Sequence, residues 1–145
     1  MKTKVIFFLQ IIFFIFIFSG CDSEETSVSC VPRSTINVQI DMNLPSYNAL
    51  LNPGGWLYYE GSLSGTRGLI IVNKGNGNYA AYDRNAPHIC PTNNSTLVVQ
   101  NSVTLYCPED GAKWILTTGQ PVEVADRRPI TYYVSLSGSV LMITN

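Results

Sequence analysis

The sequence contains few charged residues and only one histidine. Nine Lys and Arg against ten Asp and Glu in 145 residues give a net charge of −1, and charged residues make up 13% of the chain. A nucleic-acid-binding protein needs a concentrated basic surface, which argues against nucleic acid as a partner. The lone histidine, His88, lies in a Pro- and Cys-containing loop, and no Ser/His/Asp set can be assembled around it. The sequence therefore does not predict a complete enzyme.

Helical periodicity is almost absent after Thr35. Short apolar or alternating runs are separated by Gly, Asn and Pro clusters, which is typical of a small all-β domain. One helical turn is predicted, over Pro45–Leu51. About nine short strands, enough for a small sandwich or barrel, are predicted within 35–145. The predicted strands are Ile36–Asp41, Trp56–Tyr59, Gly68–Val72, Tyr79–Tyr82, Thr96–Val99, Val103–Tyr106, Lys113–Leu116, Thr131–Leu136 and Val140–Thr144.

The long apolar run of the chain lies at its beginning. Lys2 and Lys4 precede an apolar stretch that extends from Val5 to Phe18, and two small residues then lead to Cys21. This is the layout of a signal peptide, and the run is too short to span a bilayer core of ~30 Å. The quartet FSGC at 18–21 resembles a bacterial lipobox. That resemblance implies cleavage before Cys21 and acylation of the cysteine.

Lipidation at Cys21 would define the organisation of the mature chain. Residues 1–20 are then the signal peptide, 21–34 are the acylated cysteine and a flexible tether, and 35–145 are the β domain. Acyl chains stabilise membrane attachment by ~0.8 kcal/mol per buried CH₂. We therefore expect an exported lipoprotein of a Gram-negative cell envelope that is bound to the membrane through its lipid. A protein of the cell envelope is a second candidate partner. The sequence leaves the membrane leaflet undetermined.

The other three cysteines form an odd set in a compartment that permits disulfides. Cys30 lies in the predicted tether, whereas Cys90 and Cys107 each lie in a Pro-containing loop beside a predicted strand. Two of the three can pair within the chain. The positions favour a disulfide between Cys90 and Cys107.

The two loops around these cysteines resemble the cluster-binding loops of the Rieske iron–sulfur family. The segments are APHICP at 86–91 and CPEDGAKW at 107–114, with a predicted hairpin between them. In that family, Cys-x-His in one loop and Cys-x-x-His in the other hold a [2Fe-2S] cluster through two thiolates and two imidazoles. The resemblance implies a Rieske-like sandwich or barrel with two cluster-type loops. It also implies electron transfer, as a ferredoxin-like component rather than a complete enzyme.

The ligand pattern of the family is only half present. His88 and Cys107 match it, but Ala86 stands where the first Cys belongs and Asp110 stands where the second His belongs. An alanine cannot bind iron, and a carboxylate is a harder ligand than an imidazole. We therefore expect a cluster-free domain with a binding or structural role and no cofactor.

Three interpretations of the loops remain open. In the first, a disulfide between Cys90 and Cys107 joins the loops. In the second, His88, Cys90, Cys107 and Asp110 form a replacement ligand set for an unusual [2Fe-2S] cluster or for zinc, which accepts nitrogen, sulfur and oxygen donors. In the third, the thiols are free and no cofactor binds.

Overall fold

Strands dominate the structure, a computed structural model that describes residues 27–145. A 3₁₀ helix at Pro45–Leu51 lies between the first and second strands. The ten strands of the described residues are β1 (Asn37–Asp41), β2 (Trp56–Tyr59), β3 (Leu69–Gly75), β4 (Asn78–Asp83), β5 (Val98–Gln100), β6 (Thr104–Tyr106), β7 (Lys113–Ile115), β8 (Pro121–Glu123), β9 (Thr131–Ser137) and β10 (Val140–Thr144). The predicted all-β fold class is confirmed.

The strands form two antiparallel sheets. The larger has six strands in the order β1-β10-β9-β4-β3-β2, and the smaller has four in the order β5-β6-β7-β8. Every pairing between neighbouring strands is antiparallel. The small sheet is inserted between β4 and β9, which are neighbours in the large sheet. The chain therefore leaves the large sheet and returns to it on adjacent strands.

Strand β3 is buried on both faces, and two separate cores result. Ile70 and Val72 point into a core that includes Leu105 and Trp114 of the small sheet. Their neighbours Leu69 and Ile71 point the opposite way, into a core shared with β1, β10 and the 3₁₀ helix. Successive side chains alternate between faces, which explains why this strand reads as a continuous apolar run.

Each predicted strand overlaps an observed one, and the predicted helical turn matches the 3₁₀ helix residue for residue. Strand β8 lies in a stretch for which the sequence predicts no strand. It is a three-residue strand at the edge of the small sheet, and its first residue is Pro121. Proline lacks a backbone donor but is tolerated at the start of an edge strand.

A buried polar network fixes the point where the chain leaves β4. The carboxylate of Asp83 accepts hydrogen bonds from the Tyr132 hydroxyl at 2.6 Å and from the Asn85 backbone N–H at 2.7 Å. The Asn85 side-chain amide donates to the same carboxylate at 2.8 Å and to the Thr66 hydroxyl at 2.9 Å. Burial of a carboxylate is tolerated when hydrogen bonds replace its water. The network thereby sets the direction of the loop that follows β4.

The predicted signal peptide and Cys21 lie outside the described residues. Between residues 27 and 145, none of the helical segments has the length and apolarity needed to cross a membrane. Residues 27–34, at the end of the predicted tether, are in contact with the domain. Val31 is buried, and the Val28 N–H donates to the Pro87 carbonyl at 2.8 Å.

We predict that Tyr132→Phe lowers the free energy of unfolding by ~1–3 kcal/mol, since a buried carboxylate oxygen loses its hydroxyl donor. Urea unfolding followed by fluorescence measures the change. Tyr133→Phe is the matched control, because Tyr133 is the next residue on β9 and is 71% exposed. Equal midpoints for the two variants would show that the Asp83 network does not stabilise the fold.

Candidate functional site

Two loops at one end of the small sheet bring the predicted site residues together. The first loop, residues 84–97, connects β4 to β5, and the second loop, residues 107–112, connects β6 to β7. His88 comes from the first loop, and Cys107 and Asp110 come from the second. One ligand atom from each of these three residues lies within 4.8 Å of the other two.

The second loop is a tight turn closed by backbone hydrogen bonds. The Gly111 N–H donates to the Cys107 carbonyl, and the Cys107 N–H donates to the Ala112 carbonyl, both at 2.9 Å. Gly111 has a φ of +82°, which a residue without a Cβ adopts readily. One carboxylate oxygen of Asp110 accepts from the Ala112 N–H at 3.1 Å. The turn therefore orients the Asp110 carboxylate toward the first loop, where it contacts His88.

The first loop is held by Arg67, which belongs to the connection between β2 and β3. Its guanidinium donates to the Thr96 hydroxyl at 2.8 Å, to the Ser95 hydroxyl at 3.1 Å and to the Thr92 carbonyl at 2.6 Å. A planar guanidinium presents several donors in a fixed geometry. Arg67 thus restrains the part of the first loop that follows His88 in the sequence.

The His88 side chain lies between Asp110 and Trp114. Its Nε2 lies 2.5 Å from Oδ2 of Asp110, and its side chain is only 8% exposed. The ring packs edge-on against Trp114 with a centroid distance of 5.5 Å, and the Trp114 indole N–H donates to the Arg127 carbonyl at 2.7 Å. Among residues 27–145, the buried Nδ1 of His88 has no hydrogen-bond partner. The loops are therefore joined by a hydrogen-bonded pair that leaves one imidazole nitrogen unsatisfied.

The thiol of Cys107 is not activated as a nucleophile. Burial raises its pKa to about 11, backbone N–H groups at 109 and 110 lower it in part, and the adjacent Asp110 carboxylate raises it again. A catalytic cysteine needs a lowered pKa to form the thiolate at neutral pH. Burial also acts to raise the pKa of Asp110, but hydrogen bonds from His88, the Ala112 N–H and Cys107 outweigh it and lower that pKa. The site therefore combines a neutral thiol with an ionised carboxylate.

The predicted disulfide between Cys90 and Cys107 is wrong. Cys90 is bonded to Cys30, with a Cα–Cα distance of 5.4 Å, and Cys107 is a free, buried thiol. Cys107 continues the inward-facing positions of β6, where Leu105 is also buried, whereas Cys90 lies at the surface. Residues 28–31 lie against the first loop, and this brings Cys30 to Cys90. The bond connects the end of the predicted tether to the first loop.

The predicted four-ligand metal set is reduced to three residues. His88, Cys107 and Asp110 come together, but the sulfur of Cys90 is held in the disulfide. Ala86, which stands where the Rieske pattern has a cysteine, is buried in the core at 1% exposure. A [2Fe-2S] cluster takes four protein ligands, two on each iron. The donors that converge here do not fit such a cluster.

Sequence reasoning missed two residues that shape the site, Cys30 and Arg67. The odd number of cysteines allowed at most one pair within the chain, and the inward position of Cys107 two residues after Leu105 was a signal against its pairing. Arg67 carries no comparable signal, because its partners are 25 to 29 residues away in the chain.

No protein-family model matches this chain, and no curated protein sequence matches it. The residues of the two loops are therefore the basis of the functional proposal.

We predict that the double variant Cys30→Ser, Cys90→Ser is less stable than the native domain by ~2–4 kcal/mol, since the disulfide closes a sequence separation of 60 residues. Denaturant unfolding with and without reductant measures the loss, and reductant should not change the variant further. Thiol titration of the unreduced protein, with Cys21 replaced by Ser, should give no fast reaction in the native state and one thiol after denaturation. Three free thiols in the unreduced protein, or a Cys107 thiol that becomes titratable only after reduction, would contradict the observed pairing.

Proposed function

We propose that this chain is an exported lipoprotein, anchored through Cys21, whose Rieske-like β domain works without an iron–sulfur cluster as a binding or structural module of the cell envelope. The observation that carries the proposal is the disulfide between Cys30 and Cys90. It withdraws the sulfur that a replacement cluster would need. His88, Cys107 and Asp110 remain as three converging donors, one fewer than a cluster takes.

The two loops are fastened to one another and to the rest of the domain by several independent contacts. The His88–Asp110 pair joins them at the site, and the Thr92 hydroxyl donates to the Glu109 carboxylate at 2.8 Å further out. The disulfide adds a covalent connection to Cys30. A surface that is already fixed in its bound shape loses little conformational entropy on binding. This rigidity supports a docking role for the loops toward an envelope protein.

Electron transfer is the rival function, and one observation favours it. His88 and Cys107, the two residues that match the family pattern, lie close together in the structure. The rival predicts a coloured protein that contains stoichiometric iron and sulfide. A cluster-free module is colourless and contains neither.

We predict that the mature full-length protein, purified without air, contains no stoichiometric iron or acid-labile sulfide and has no visible absorption bands. Elemental analysis, sulfide assay and the visible spectrum check this result. The variant Ala86→Cys, Asp110→His restores the family pattern and, if the scaffold is Rieske-like, should gain iron, sulfide and colour. Iron and sulfide with a thiolate-to-iron charge-transfer band in the unmodified protein would overturn the proposal.

We predict that Cys21→Ser abolishes lipid attachment and releases the protein from the membrane fraction, because the acyl chains supply the membrane affinity. Incorporation of labelled fatty acid and detergent phase partitioning in a bacterial host measure the effect. Cys30→Ser is the control, since it removes a nearby cysteine that is not the proposed acylation site. Equal labelling of wild type and Cys21→Ser would contradict the proposed anchor.

A further inference from the structure

We propose that His88, Cys107 and Asp110 bind a single divalent zinc-class metal ion through one ring nitrogen, one sulfur and one carboxylate oxygen, leaving a fourth position open to water or another ligand. The inference rests on the proposed function, since it takes the iron–sulfur cluster to be absent. It differs from a cluster in needing one ion and three protein donors.

The donor set selects the class of metal. Zinc is bound in proteins by thiolate, imidazole and carboxylate in tetrahedral geometry, and sites with three protein ligands keep the fourth position for water or substrate. Magnesium and calcium prefer oxygen donors only. One oxygen donor among three ligands therefore excludes the hard cations and favours zinc or a similar transition metal.

The charges of the site balance when one such ion binds. Coordination breaks the S–H bond of Cys107 and releases its proton to solvent, so that the sulfur binds as a thiolate. That thiolate and the Asp110 carboxylate together neutralise a divalent cation, and His88 contributes a neutral ligand. A buried ion is tolerated only when it is compensated in this way.

The distances require only small movements. Ligand atoms around a tetrahedral zinc ion lie roughly 3.3–3.8 Å apart, given bonds of about 2.0–2.3 Å. The His88–Asp110 pair, at 2.5 Å, has to separate by about 1 Å. All the ligand atoms lie within 4.8 Å of one another, so no pair has to approach by more than about 1.5 Å. The Asp110 side chain is 26% exposed, so its carboxylate is the less enclosed of the two polar groups in this pair.

The unsatisfied histidine is a second, independent indication of a missing ligand. The His88 side chain is more than nine-tenths buried, and its Nδ1 finds no partner in the part of the chain that the structure describes. Buried polar atoms without a hydrogen bond are uncommon in native proteins, and an ion or an ordered water accounts for many of them. The described residues therefore leave this nitrogen for the ion itself or, when the ion binds Nε2, for an ordered water that accepts the Nδ1–H, as is usual for the second nitrogen of a ligating histidine.

Cobalt(II) is the probe that tests this proposal, added to the chelator-treated mature protein in detergent with its disulfide intact. We expect one cobalt per chain, a thiolate-to-cobalt charge-transfer band in the near ultraviolet, visible bands of four-coordinate intensity, and displacement by zinc. Cys107→Ser should abolish the charge-transfer band. Asp110→Asn should weaken binding by more than ~10-fold, since even residues that only support a ligand contribute that much.

The matched control is Glu109→Gln, which removes the neighbouring carboxylate and should leave cobalt affinity unchanged. Circular dichroism checks that each variant folds, and the partly exposed Asp110 keeps the test valid if Cys107→Ser does not fold. Equal affinity of Asp110→Asn and Glu109→Gln, or cobalt binding without the charge-transfer band, would overturn the inference. Absence of cobalt binding would also overturn it and leave the cluster-free proposal intact, whereas iron and sulfide in the purified protein would overturn both.

Discussion

The burial of β3 on both faces is the constraint on which the rest of the structure depends. A strand whose two faces are apolar needs a layer on each side, and residues 27–145 supply one from β1, β10 and the 3₁₀ helix and another from the small sheet. Loops 84–97 and 107–112 lie at the same end of the small sheet, because β5, β6 and β7 are antiparallel neighbours. Trp114 belongs to this second core and also packs against His88. The site is thus supported directly by the hydrophobic core.

This support explains why a polar cluster is tolerated next to apolar side chains. Cys107 faces inward as part of the core, and a protonated thiol behaves there as a small apolar group. The carboxylate of Asp110 remains partly exposed and receives two hydrogen bonds, which keeps it ionised. Only His88 is left short of a partner. The atom of the trio without a hydrogen-bond partner therefore lies on the imidazole. For this reason we infer that His88 is a metal ligand and not a catalytic base.

The strands were predictable from the sequence, and the connections among the cysteines were not. Alternation at Ile36–Asp41 and the apolar run at Gly68–Val72 report burial locally, so each identifies a strand without knowledge of its neighbours. The proximity of His88, Cys107 and Asp110 was expected under only one of the three interpretations of the loops, and that interpretation also included Cys90. The pairing of Cys90 depends instead on the path of residues 27–34, whose polar composition resembles a free tether. Which cysteines pair depends on the three-dimensional path of the chain, and the spacing of the cysteines in the sequence does not determine it.

The disulfide also changes what an anchor at Cys21 would do. A tether that ran freely to residue 34 would let the domain move away from the membrane, but the bond to Cys90 attaches the chain at Cys30. Under the proposed lipidation, the residues between Cys21 and Cys30 span at most about 30 Å when fully extended. His88 lies two residues before Cys90, so the trio would be held within reach of the membrane surface. This attachment does not depend on the disulfide alone, because the Val28 N–H donates to the Pro87 carbonyl of the same loop and Val31 is buried against the domain.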